Sequence, residues 1–224
     1  MQSYSRHLNE CLASHIPSPG STDRILDFGC GDGVHREFCE QLGYEWIGID
    51  VNSREASVLG DGRRLPFSAE SFECVLSTAV LEHVNRPRLA VKEVTRVLKS
   101  GGKFIGTVAS LEDFHGKSFF HHTHYGIYDL LRDAGLEINI ISPYDIINHF
   151  PAVKWEGPLP QTRQLFPGVP EAVQLALGSP LYFLYRVWFA LGGMIDQRDS
   201  KQIKFRARCA LAGQFAFVAD KNKE

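Results

Sequence analysis

Apolar and polar positions follow two alternating periods through the first two thirds of the chain. Arg24-Ile25-Leu26-Asp27-Phe28-Gly29 is a short apolar run that enters a glycine-rich turn, the pattern of a buried strand. Val34, Phe38 and Leu42 then recur at helical spacing, with Gly43 as a stop. Tyr44 to Asp50 predicts a second strand ending in an acid. Strand, helix and strand within about 30 residues fit a parallel crossover. Beyond it, residues 53–59 predict a short helix and strand, and Phe72 to Ser77 a further strand. Ala90, Val91, Val94, Val97 and Leu98 stripe a helix that begins near Pro87 and stops at Gly101-Gly102. Lys103 to Ala109 predicts a strand. Ile127, Leu130, Leu131 and Ala134 stripe a helix stopped by Gly135, and Leu136 to Ile141 and Leu211 to Ala219 predict the last strands. A short leading helix is expected within residues 1–16, ended by Pro17-Ser18-Pro19-Gly20. Repeated strand-then-helix units predict a doubly wound α/β sheet.

The rhythm breaks after Ser142. Residues 143–170 carry six prolines and no clean period, and residues 171–195 are strongly apolar. The expected organisation is a leader over 1–22, an α/β core over 23–142, an apolar insertion over 143–207, and a final core strand with tail over 208–224. The run from Ala172 to Ile195 has the length of a membrane span. Gly178 and Pro180 interrupt it, and Arg186 near its centre costs about 2.5–3.5 kcal/mol in a bilayer, so a span is rejected. Three readings stay open: a lid or wall over an acceptor pocket, a homodimer interface, or a peripheral membrane contact through 172–208. The last is suggested by Tyr182, Tyr185 and Trp188 beside Arg186, with Lys201, Lys204, Arg206 and Arg208 downstream.

Composition narrows the classes further. The 224 residues are 44% hydrophobic and 22% charged, with a net charge of −2, and no Lys/Arg cluster is dense enough for a nucleic-acid footprint. Cys11, Cys30, Cys39, Cys74 and Cys209 are odd in number, widely spaced and without CxxC. They read as free thiols in a reducing compartment, with no disulfide framework or zinc site. The start of the chain lacks a signal-peptide apolar region, so a cytoplasmic location is expected, with membrane association left open.

The chemistry concentrates in Asp27-Phe28-Gly29-Cys30-Gly31-Asp32-Gly33. Glycines at alternate positions between a strand and a helix let backbone approach a ligand and aim N–H groups at it. A dinucleotide fingerprint needs a third small residue at position 34, where Val34 stands, and the Gly-Lys-Ser/Thr of a phosphate loop is absent. The spacing instead resembles motif I of class I S-adenosylmethionine-dependent methyltransferases of the "methyltransferase type 11" group. Asp50, Gly60-Asp61-Gly62 with Leu65-Pro66-Phe67, Ser71-Phe72-Glu73-Cys74-Val75, Val80-Leu81-Glu82-His83-Val84 and Leu98-Lys99-Ser100-Gly101-Gly102 follow in that family's order. Glu73 departs from the family's usual Asp.

The resemblance implies a mostly parallel seven-stranded sheet, a Rossmann-like methyltransferase fold with a helical insertion before the last strand. It implies S-adenosyl-L-methionine as cofactor, held by this chain's own residues. Asp27, Gly29, Cys30 and Gly31 would meet the methionine end, and Asp50, followed by Val51, the ribose hydroxyls. Asp61 and Gly62 would take the adenine, with Thr78 and Ala79 lining the pocket. The acceptor is expected to be a small or lipid-linked molecule, methylated on O, N or C. The alternative is a cofactor-binding regulatory or scaffold protein without transfer.

Nine histidines are many for this length, and five fall between 83 and 124. The run from His115 to His124 matches no metal-ligand spacing, so no metal is expected. In similar methyltransferases such a stretch closes over the acceptor. There His121 and His124 are candidates for a general base, against capping and packing roles before the next helix.

Overall fold

A computed structural model of the chain describes residues 10–110, 118–144 and 212–222. Most of these lie in one compact unit built from residues 1–109, 116–142 and 215–224. The apolar run 172–195, the basic segment behind it and most of the expected insertion lie outside the described residues.

The described core is a seven-stranded sheet with flanking helices. Its strands are β1 (Arg24–Phe28), β2 (Glu45–Asp50), β3 (Val58–Leu59), β4 (Phe72–Thr78), β5 (Leu98–Ala109), β6 (Leu136–Tyr144) and β7 (Gln214–Lys221). The helices are α1 (Glu10–Ala13), α2 (Arg36–Leu42), α3 (Pro87–Val97) and α4 (His124–Asp133). The strand order is β3-β2-β1-β4-β5-β7-β6. Pairing is parallel from β3 through β2, β1 and β4 to β5. Order reverses between β1 and β4, which places a ligand crevice at the carboxyl ends of the central strands.

β1 has both its edges paired and is buried on both faces, where Ile25, Leu26 and Phe28 pack inward. α3 starts with Pro at its first turn and buries Ala90, Val91, Val94 and Val97, each fully. It packs on β5 and α4. α2 ends at Gly43, whose φ of 100° lets its N–H reach the carbonyls of Cys39 and Glu40. Thr123 caps α4, its hydroxyl accepting from the Gly126 N–H at 3.0 Å. Such a cap stabilises a helix by about 1 kcal/mol. Among the described residues no helix is long and apolar enough to cross a membrane.

Three local expectations change. α3 stops at Val97, and Leu98 is already extended, so Gly101-Gly102 lies inside β5 and not at a helix end. The β4–β5 register shifts beside Gly102, where an added Cβ would come within 2.8 Å of the Lys99 carbonyl oxygen. That is the setting of a bulge. Residues 53–57 form bends and no helix. Asp50 Oδ1 accepts from the Asn52 and Ser53 N–H groups, and Ser53 Oγ from the Glu55 N–H, a side-chain alternative to helical bonding. Val34 precedes α2 and is exposed, leaving Phe38 and Cys39 as its buried face. Of the leading helix expected within 1–16, Glu10–Ala13 is helical, and residues 1–9 lie outside the described residues.

Candidate functional site

Four loops leave the carboxyl ends of β1 to β4 and enclose one cavity of about 550 Å³. Gly29 enters from β1, Asp50, Val51 and Asn52 from β2, Gly60 to Arg63 from β3, and Ala79 to Asn85, less Leu81 and Glu82, from β4. Phe119 closes another side.

The glycine turn lies against β2 through its backbone, the Gly29 and Cys30 N–H groups both donating to the Ile49 carbonyl at 2.8 and 3.1 Å. Gly29, Gly31 and Gly33 all have positive φ. At Gly31 an added Cβ would meet nothing within 4 Å. Backbone there is left bare and open, the form a ligand cradle requires. The Asp50 carboxylate ties β2 to this turn, with Oδ2 accepting from the Gly31 N–H at 3.1 Å. Ser53 Oγ donates to the Gly31 carbonyl.

Behind the turn, Asp27 is 1% exposed and its Oδ2 accepts from the Trp46 indole N–H at 3.2 Å. Burial pushes its carboxyl up to about 7; the indole hydrogen bond opposes this and the Asp50 charge adds to it. Burial likewise pushes the Cys30 thiol up to about 12, so it is no nucleophile.

The β3 loop is pinned from two directions. Leu65 donates its N–H to Glu93, and Arg96 donates to the Leu65 and Phe67 carbonyls, fastening the loop to α3. Arg63 holds Asp61 with Nε and Nη2, and its Nη1 donates to Asn85 Oδ1 at 2.6 Å. This keeps the Asp61 carboxyl below its ordinary value. At the end of β4, Ala79 has a φ of 55°, and its N–H donates to Thr107, at the carbonyl (3.1 Å) and Oγ1 (3.2 Å). Strained backbone of this kind concentrates at functional sites. Thr78 Oγ1 is 2.9 Å from Nε2 of the buried His35.

Of the residues expected from the sequence, Gly29, Asp50, Val51, Asp61, Gly62 and Ala79 line the cavity. Asp27, Cys30, Gly31 and Thr78 are not among its lining residues, although hydrogen bonds join Gly31 to Asp50 and sequence joins the others to it. His121 and His124 do not line it either. His124 opens α4 with its ring edge-on to Phe215. Between them the buried His122 bonds the Leu81 backbone, and desolvation holds its pKa below the ordinary imidazole value. His83 is the histidine on the cavity wall among the described residues. Sequence reasoning gave no site role to Asn52, Arg63, Asn85 and Phe119, which line the cavity. The spacing Asp61-x-Arg63 was a signal for the second; nothing local marks the others.

Residues 26–106 match the family model described as "Methyltransferase domain". Two curated relatives are the methyltransferase YodH of Bacillus subtilis and the ubiquinone biosynthesis O-methyltransferase of Nitrosococcus oceani. The first is 31% identical over 56% of this chain and 64% of its own length. The second is 32% identical over 42% and 46%. The chain therefore spans about half the length of the curated relatives it matches. A solved SAM-dependent methyltransferase from Methanosarcina mazei shares the fold, with a TM-score of 0.55 and 17% identity over 97% of this chain and 100% of that one.

Proposed function

We propose that this chain, whose α/β core is a class I S-adenosylmethionine-dependent methyltransferase domain, transfers a methyl group to a small-molecule or lipid-linked acceptor. The observation that carries the proposal is one cavity into which the four loops bring glycine backbone, the Asp50 and Asp61 carboxylates and the exposed Val51, with the exposed Phe119 closing another side. In this reading Asp50 accepts from both ribose hydroxyls, since a carboxylate is acceptor-only. Asp61 takes the adenine amino group, with Gly62 backbone beside it. Val51, 72% exposed, and Phe119, 56% exposed, offer apolar cover to a flat ring. Asp27 and the turn at Gly29, Cys30 and Gly31 serve the amino-acid end, and Thr78 and Ala79 the wall between cofactor and acceptor.

Bound S-adenosylmethionine supplies an electrophilic methyl group on a sulfonium. The chain's task is to hold an acceptor atom in line with it and to keep water out, and orientation of that kind lowers a barrier by about 7–11 kcal/mol. A proton leaving a hydroxyl or amine acceptor finds His83 on the cavity wall; His121 and His124 serve as base only if the acceptor reaches beyond that wall.

Calorimetry with S-adenosylhomocysteine tests the binding half. Saturable one-to-one binding is expected, and its absence removes the proposal. Transfer of isotopically labelled methyl from S-adenosylmethionine into aqueous or lipid-extractable candidate acceptors tests the rest. Binding without transfer in either pool would favour a regulatory role.

A further inference from the structure

Trp46 lies under the glycine turn in an arrangement that nothing about a nucleoside site by itself requires. It stands on β2 opposite Ile25, and Asp27 stands opposite Gly48, so in this parallel pair all four share one face of the sheet. Gly48 has no side chain, and the indole leans along β2 across the vacant position. A Cβ at 48 would come within 2.4 Å of the indole ring and 2.8 Å of Cys30 Sγ. The ring thus reaches Asp27, with its Nε1 at 3.2 Å from Oδ2. Its far edge is 3.9 Å from where a Cβ would stand at Gly33, and the Arg36 guanidinium covers one ring face at 5.4 Å from a centroid. Trp46 is 7% exposed.

We infer that Trp46 is a positioning residue for the amino-acid end of the cofactor, its indole N–H fixing the Asp27 carboxylate beneath the turn so that Asp27 can meet a cationic ammonium group. The inference rests on the methyltransferase reading above. A buried carboxylate that faces no fixed cation among the described residues gains most from a neutral N–H donor that cannot swing away, and the bare Gly48 makes that donor fit. The titratable groups around Asp27 are Asp50 at the end of β2, Cys30 in the turn and Cys39 from α2. Arg36 lies on the indole. Because burial raises the Asp27 pKa to about 7 and the indole bond lowers it, loss of the N–H will leave more of the acid neutral at pH 7.

The test compares S-adenosylhomocysteine, which carries the ammonium group, with 5′-methylthioadenosine, which lacks the amino-acid end. Calorimetric affinities of wild type and Trp46→Phe are measured between pH 6 and 8.5. In wild type, S-adenosylhomocysteine affinity rises about tenfold across this range as Asp27 ionises, while methylthioadenosine stays flat. In Trp46→Phe, S-adenosylhomocysteine binds roughly three- to tenfold more weakly at pH 7, with its midpoint moved to higher pH, and methylthioadenosine is unchanged. Equal weakening of both ligands, or an unshifted midpoint, overturns the inference and leaves the methyltransferase reading standing. If wild type binds neither ligand, both fall. Should Trp46→Phe not fold, the wild-type protein still decides. Of the signals from its three tryptophans, one indole N–H resonance must titrate with a midpoint near 7 and shift with S-adenosylhomocysteine but not with methylthioadenosine. Three signals indifferent to pH refute the link.

Discussion

Val80 stands so close to Gly29 that a Cβ at position 29 would come within 2.5 Å of both Val80 methyl carbons. The first residue after β1 and the second after β4 thus share a space with no room for a side chain. Gly29 also has a φ of 74°, which an L residue adopts at a cost. Gly29→Ala is expected to destabilise by about 2–4 kcal/mol, from strain and overlap together. Adding Val80→Ala relieves the overlap and leaves the strain, so the double variant recovers part of the loss. Chemical denaturation of the two single variants and the double variant checks this; strict additivity refutes the contact.

Asp50 accepts three backbone N–H groups at the cavity edge, from Gly31, Asn52 and Ser53. Those amides are near solvent, so Asp50→Ala hands them to water and costs the fold about 1 kcal/mol. Its effect on S-adenosylhomocysteine is larger, about 2–3 kcal/mol or roughly 30- to 150-fold, because two charge-assisted bonds are lost. Calorimetry alongside thermal melting separates the two, and undiminished affinity would count against the ribose assignment.

Asp61 offers acceptor oxygens only, and Arg63 holds them in place. A ligand lacking the adenine amino donor gains nothing from it. Asp61→Asn is expected to weaken S-adenosylhomocysteine roughly five- to tenfold while leaving S-inosylhomocysteine within twofold, as fits one hydrogen bond to a charged group. A parallel loss for both ligands means that Asp61 acts only through loop shape.

Asp27 makes stability depend on pH in a direction opposite to most carboxylates. Its pKa is raised in the fold to about 7 from 3.8, so between those values the folded chain binds more protons than the unfolded one. Its contribution is favourable when protonated and falls as pH rises from about 4 to about 7, by roughly 4 kcal/mol at most. Asp27→Asn keeps an acceptor for Trp46 and removes the titration. The variant should match wild type near pH 3.5, exceed it by about 1–2 kcal/mol at pH 5 and by up to about 4 kcal/mol at pH 8, and bind S-adenosylhomocysteine more weakly. Unfolding curves at pH 3.5, 5 and 8 decide the sign.

Much of this was legible in sequence because it rests on local signals. A five-residue strand with apolar Ile25, Leu26 and Phe28 meeting spaced glycines marks both β1 and the turn, and an acid closing the next strand marks Asp50. The helix end before β5 was misplaced because paired glycines mark a bulge as readily as a stop, and only the β4 register distinguishes them. The helix expected within 53–57 yields to Asp50 and Ser53, whose side chains bond backbone that a helix would need. Cavity residues such as His83, Asn85 and Phe119 come together across the sheet from positions with no common period. Trp46 left one trace, the glycine two residues later inside a strand, a known mark of close approach.

The three amides that grip Asp50 belong to this chain's own backbone. They hold the carboxylate rotamer, and on the proposed reading a sugar meets an acceptor pair already aimed. Its recognition should therefore register calorimetrically as heat released with little ordering penalty from this side chain, and Asp50→Glu, a longer and freer acid, should restore the charge without restoring the fit.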